Sequence, residues 1–378
     1  EAVRRADDKA QILFENCFRV LDGPDAPELK IIELDKKLIF HIYNRPGSNN
    51  YLEAYVEKDP AIVCHPDIVP CDEYYRFQGY QVFQYRDRSV SISDRYNNDK
   101  VRTIFQCDIK DDVAQIVNYT WSDELRANIP VEEVNGQNVG IRHTFVVDKD
   151  MFSTGDPKLI NNREYYFSAI AYSYNNSLLY NQSIQETFNG QKKPYLAGRN
   201  NIKKYVAIPH LNQPENAGTI MQSEYGEGLQ ITMYEGHGNA NNIIELTDET
   251  IDEIMSGYPW KVSKRVYKNG KGPINVKVID PLNVPEGTYY LKFDKDAVTH
   301  AFGFIGTTKA ELSPSNFEPF GYTITYGDKV IQSDVDVKYG IGDEQLLMDL
   351  GISVTIAQDN FALLQDKNTY HNGFLDAE

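Results

Sequence analysis

Tryptophan is nearly absent, with 2 in 378 residues, and cysteine is sparse at 4. The cysteines lack a paired CxxC pattern, which argues against a structural zinc site. Basic residues are in deficit: 38 Lys+Arg face 55 Asp+Glu, a formal charge of −17. Nucleic acid and anionic lipid both need a basic footprint, so neither is an expected partner. No stretch approaches roughly 18 uninterrupted apolar residues, which excludes a helical bilayer span. Signature motifs of catalysis are missing too. There is no HExxH, no GxSxG elbow, and no cysteine in a recognisable nucleophile context.

What is present is tyrosine, 26 of them, with 17 Phe. Both fit a pleated, half-buried surface, so the excess points to β structure. Apolar content of 41% and charged content of 25% suit a folded chain. The length allows two or three domains. The chain opens Glu1-Ala2-Val3-Arg4-Arg5 and closes Leu375-Asp376-Ala377-Glu378, which reads as a piece of a longer polypeptide.

One helical stripe stands at the start. From Asp7 to Leu21, Ala10, Leu13, Phe14, Cys17, Phe18 and Leu21 recur at helical spacing, and Gly23 can stop the helix. Strand patterns follow at Lys37–Tyr43, Tyr80–Tyr85, Val101–Ile109, Arg142–Val147 and Glu164–Tyr174. The stretch near 175–204 is rich in Asn and Gly and reads as a connection. Further strands are expected at Lys204–Ile208, Leu229–Tyr234, Ile274–Ile279, Thr288–Phe293, Tyr322–Tyr326, Lys329–Ser333 and Ile352–Ile356. One short helix, Asp248 to Ser256, is capped by Thr247 and ended by Gly257. The expected architecture is mainly β, with antiparallel β-sandwich modules in tandem. Its domains are a helix over 1–23, a sandwich over 24–190, a linker over 191–204 and a second β-rich domain over 205–378, with core strands about 274–356.

The first module resembles a fibronectin type III domain. Gly23-Pro24-Asp25-Ala26-Pro27-Glu28-Leu29 is similar to that family's Pro-containing first strand, and Phe77 to Phe83 to its third. Leu159, then Tyr165, Phe167, Ala169 and Ala171 at period two, resemble its sixth strand with a tyrosine corner. The resemblance implies structural roles for Tyr165, Leu159, Phe167, Tyr80, Val82 and Phe40, with Phe40 or Ile42 taking the volume of the family's core Trp. Asn44–Asp72 and Asp111–Gly140 then read as insertions. A second resemblance is to large secreted surface proteins of Bacteroidota. It rests on Ala6 to Gln11, Tyr74 to Tyr80, Gly190 to Tyr195 and Gly272 to Pro281. Those proteins usually leave by type IX secretion, which implies an extracellular or cell-surface location in a Gram-negative bacterium. In an exported chain, Cys64 and Cys71, seven positions apart in a Pro-containing loop, can close a disulfide; otherwise they are two reduced thiols.

Candidate chemistry is diffuse. The histidines are His41, His65, His143, His210, His237, His300 and His371, with no tight metal spacing. His237 lies in a Gly-rich turn, Glu235 to Asn239, that is not a nucleotide fingerprint. Asp148-Lys149-Asp150, Asp294-Lys295-Asp296 and Asp334-Val335-Asp336 offer hard oxygen ligands, so calcium is the one cofactor considered. Each is also an ordinary solvated turn. The tyrosines at 165, 166, 172, 174 and 180 can present aromatic faces to a sugar, but at period two one set faces a core and the other is sheet surface. The expected function is a non-catalytic extracellular structural or assembly module whose partners are neighbouring modules. A carbohydrate-binding or adhesion module, with polysaccharide as partner, is the alternative, and an enzyme domain a third reading.

Overall fold

The computed structural model describes residues 21–60, 62, 64, 71–138, 140–175, 177–184, 190–212, 221–229, 231, 245–262, 265–268, 271–272, 274–294, 321–336 and 344–356, of which 293–294, 321–322, 331–336 and 356 by backbone alone. The chain is mostly β, in several antiparallel sheets. It divides into two compact units, Glu1–Asn212 and Gln213–Glu378. The helix expected over 1–23, the turn around His237, and His65, His300 and His371 lie outside the described residues.

In the first unit β1 (Glu28–Leu34) and β2 (Lys37–Tyr43) form a hairpin, and β8 (Thr144–Val147) joins its far side. A second sheet faces it. Here β4 (Tyr74–Tyr85) pairs β9 (Tyr165–Tyr174), with β5 (Val101–Asp108) and β3 (Val56–Lys58) sharing the other edge of β4. Two short strands, β10 (Tyr195–Ala197) and β11 (Tyr205–Ala207), pair opposite ends of β9. Between the sheets Phe40, Phe77, Tyr80, Val82, Phe105, Phe145, Leu159, Tyr165 and Phe167 form one core. Phe145 stacks on Phe105 at 3.9 Å and on Phe40 at 4.9 Å. Phe40 meets Phe167 edge-on. These rings fill the space between the layers, where aromatic burial is worth most.

A third layer covers the other face of the second sheet. β6 (Gln115–Ser122) and β7 (Ala127–Asn135) form a hairpin inside the segment expected as an insertion. Its Ile116 and Val134 pack with Phe83, Tyr85, Tyr166, Ile170, Tyr172 and Tyr195 into a second core. The expectation that one face of β9 is ordinary sheet surface is therefore corrected: Tyr172 and Tyr166 are buried in this second core, with Lys204 lying over the Tyr166 ring. Strands covered on both faces lose the alternating exposure of a two-layer sandwich, and every residue from Tyr165 to Ser173 is buried.

The linker expected over 191–204, and a second domain from 205, are corrected as well. β10 and β11 are hydrogen-bonded to β9, and the turn between them is pinned. Gly198 N donates to Ala171 O, and Ala26 N to Asn200 O. Lys204 Nζ donates to Val90 O and Arg88 O while lying over the Tyr85 and Tyr166 rings. Polar residues here satisfy loop backbone rather than solvate a connection.

In the second unit β12 (Ile274–Val278), β17 (Ile352–Ile356) and β16 (Glu344–Leu347) form one sheet. β13 (Tyr290–Asp294), β14 (Gly321–Tyr326) and β15 (Lys329–Asp336) form another. Ile324, Leu347, Leu350 and Val354 are its buried centre. The one α-helix among the described residues, α1 (Asp248–Met255), starts where expected, with Thr247 Oγ1 accepting from Thr250 N. Of the expected strand Leu229–Tyr234, only 229 and 231 are described.

Candidate functional site

All six residues expected in structural roles are buried in the first core: Tyr165, Leu159, Phe167, Tyr80, Val82 and Phe40. Tyr165 closes a corner, where Ile160 N donates to its Oη at 2.9 Å. The hydroxyl thus satisfies a backbone donor five residues upstream in sequence, and the ring anchors the turn to the core.

Tyr80 does more than fill volume. Its hydroxyl donates to Glu53 Oε1 at 3.0 Å and accepts from Asn44 Nδ2 at 2.6 Å. His143 Nε2 donates to the same Glu53 oxygen at 2.5 Å. The Glu53 side chain is 7% exposed. It is carried inward by a 3-10 turn, Tyr51–Glu53, in which Leu52 and Glu53 both adopt left-handed backbone, φ 56° and 58°. That conformation is costly for residues with a Cβ and persists only when surrounding contacts fix it. Burial, then Glu53, push the Tyr80 phenol well above its usual range, so it stays a donor. Neighbouring Cys107 is fully enclosed, and burial pushes its thiol up to about 12. A thiol held protonated is a poor nucleophile. The cluster is a buried polar clasp joining the β2–β3 loop, β4 and the segment before β8.

The other histidines and the acidic pairs also have structural neighbours. His210 Nδ1 donates to Ile208 O at 2.9 Å, and Nε2 accepts from Asn212 Nδ2. His41 is fully buried within β2. Asp150 of the first acidic pair is buried, with Oδ1 accepting from Gln84 Nε2 at 2.8 Å and Phe152 N at 2.9 Å. Arg163 lies 3.5 Å from its other oxygen. Asp294, Asp334 and Asp336 are described by backbone alone, and 295–296 not at all. Among the described residues no group of three or more His, Cys, Asp or Glu side chains converges as a metal site. Cys64 and Cys71 form a disulfide, Cα–Cα 5.7 Å.

An open cleft of about 530 Å3 lies between β5 and β7. Its walls are mostly polar, with Gln81, Thr103, Glu132, Asn135, Gln137 and Arg142 prominent. Below it Gln81 binds three elements at once: Nε2 to Gln106 Oε1 and Glu133 O, and Oε1 from the Tyr195 hydroxyl. This network holds β7 to the second sheet and sets the floor of the cleft. At one end Asp108 is fully buried, its Oδ1 accepting from Asn138 N at 3.1 Å. Burial pushes its carboxyl up.

The solvent side of the hairpin continues from this cleft. Register places Gln115, Val117, Tyr119 and Trp121 of β6 beside Asn135, Glu132, Pro130 and Asn128 of β7. Tyr180 folds onto this side: its ring lies 4.7 Å from Tyr119, and its hydroxyl receives Asn128 Nδ2. Beyond it Trp121 is 49% exposed, its Nε1 held by Asp123 Oδ1 at 2.9 Å. The sequence reading considered Tyr180 for such a role but missed Tyr119 and Trp121. The signal available was the chain's scarcest residue, two positions from a tyrosine in a strand-like run.

Comparison of the chain with protein-family models, with curated proteins and with solved structures gives no match.

Proposed function

We propose that the chain is a non-catalytic, extracellular structural or assembly module of a large bacterial cell-surface or secreted protein. The Cys64–Cys71 disulfide carries the location, because disulfides persist in oxidising compartments. The structural role is supported by where the chemistry-bearing side chains lie. Glu53, His143, Tyr80 and Cys107 are turned into the core and tied to one another or to backbone. The first unit is taken as fibronectin type III-like. A three-strand sheet, β1-β2-β8, faces a sheet led by β4 and β9, and the Tyr165 corner closes the turn before β9. The third-layer hairpin is an addition to that plan.

The test is protease shaving of intact cells that produce the protein, with thiol trapping before lysis. The reading expects loss of the chain to external protease and a trapped Cys64–Cys71 pair. Trapping in denaturant should then find two thiols before reduction and four after, since 4 cysteines include one bridge. A protected chain with four thiols would refute the extracellular assignment.

A further inference from the structure

The hairpin that roofs the second core has two faces, and the core uses only one. Ile116 and Val134 point inward. Along β6 the outward face carries Trp121, then Tyr119 with the Tyr180 ring packed on it, then Gln115 beside Glu132 and the polar cleft. From Gln115 to Trp121 the strand runs roughly 20 Å at about 3.4 Å per residue. Rings at one end and polar groups at the other, where Gln115 Nε2 donates to Glu132 Oε1 at 2.6 Å and Asn135 and Gln137 line the cleft, make one elongated surface. Flat rings supply rigid contact area at little entropic cost. Amide and carboxylate groups bind paired hydroxyls as donors and acceptors.

We propose that this face is a binding site for a neutral polysaccharide chain, a role that goes beyond that of a structural module. Pyranose rings stack their C–H faces on Trp121 and on the Tyr119–Tyr180 pair, and hydroxyls further along reach Glu132, Asn135 and Gln137. The rings are set before the ligand arrives. Asp123 holds the Trp121 indole, Asn128 holds the Tyr180 hydroxyl, and Lys192 lies over the Tyr180 ring. A site already organised loses little freedom on binding. Charge selects the occupant. The chain carries −17, and along the face Asp123, Glu132 and Glu133 outnumber Arg142 and Lys192, so a polyanionic glycan is disfavoured. No bond is made or broken, and binding is the whole activity.

The test uses the full chain and Trp260→Phe, which leaves Trp121 as the sole tryptophan reporter. The probes are neutral hexasaccharides of glucose, xylose, mannose and galactose in β- and α-linked series, with polygalacturonate and heparin as acidic counterparts. The expected result is a saturable shift of Trp121 emission with at least one neutral hexasaccharide and none with the acidic polymers. Trp121→Ala and Tyr180→Ala should each weaken that binding at least tenfold by calorimetry. Trp121 is exposed, so its variant should melt with the parent. Trp260→Ala, also at an exposed ring, should leave affinity unchanged. Failure of every neutral probe at millimolar concentration overturns the proposal. So does binding that Trp121→Ala leaves intact, binding to the acidic polymers alone, or a purified protein partner that needs Trp121 where no glycan does.

Discussion

The Ile160 backbone N–H donates to the Tyr165 hydroxyl at 2.9 Å, and Tyr165 is 3% exposed. One phenol therefore both fills the core and satisfies the turn ahead of β9. Tyr165→Phe keeps the ring and strands the donor. It should cost about 1–3 kcal/mol, the penalty of a buried polar group without its partner. Urea unfolding followed by circular dichroism would check it, and an unchanged midpoint would mean the bond carries no stability.

Gly79 sits at an irregularity in the β4–β9 register, with no room for a side chain. A Cβ there would stand 2.2 Å from the Cys107 carbonyl and 2.6 Å from the Tyr172 hydroxyl. Gly79→Ala must push β5 or Tyr172 aside and should lose about 3 kcal/mol, at the upper end for overpacking. The same denaturation measurement applies. A variant within about 0.5 kcal/mol of the parent would contradict the close approach.

Asp108 predicts a pH dependence of definite sign. Its carboxyl is raised by burial, so the folded state holds the proton more tightly than the unfolded one. Stability from this group is complete below the ordinary carboxylate range and falls as pH rises through the folded value. Asp108→Asn keeps the Oδ1 acceptor for Asn138 and removes the charge. The variant should gain stability over the parent as pH climbs from about 4 to 7. Melting both proteins across that range would show it, and a constant or shrinking gap would contradict it.

In the second unit Lys277 of β12 lies 2.8 Å from Glu344 of β16, whose side chain is 5% exposed and also receives Ser353 Oγ at 2.6 Å. Burial lowers the Lys277 pKa, but Glu344 and Tyr225 together outweigh it and the net shift is upward. Lys277→Met leaves a buried carboxylate facing an apolar chain. It should cost about 2–3 kcal/mol, below the full range for breaking a buried pair because Lys277 is partly exposed. The double variant Lys277→Met, Glu344→Leu should recover much of that loss. Calorimetric melting of the three proteins separates the cases, and a double variant no better than the single one would sink the argument.

Much of the first sandwich was legible. β4 and β9 carry aromatic residues at period two, and the six-residue step from Leu159 to Tyr165 marked the corner. Periodicity reports which face is apolar, though, and not what lies over it. Tyr166 and Tyr172 looked like sheet surface because the rest of their core comes from distant segments: Ile116 and Val134 from a polar stretch that holds Pro130 in a strand, and Lys204 over the Tyr166 ring. The turn at 198–204 looked like a linker because Asn and Gly dominate it. Its role depends on Lys204 reaching Val90 O and Arg88 O, a contact between residues more than a hundred positions apart. The Glu53 clasp was hidden for a similar reason: two left-handed residues aim its carboxylate, and nothing in their identity announces that backbone.

The first and last strands of the first unit run side by side in the same direction. The Tyr205 hydroxyl meets Leu29 N, Ile208 N meets Glu33 Oε1, and His210 N meets Leu34 O. Asp22 enters beside Asn200, and Asn212 leaves beside Glu33, at opposite ends of that seam. Tension applied through residues 22 and 212 therefore slides β1 along β11 and strains these contacts together, where an antiparallel pair pulled from one end would open bond by bond. A module joined in this way resists a pull along its own chain.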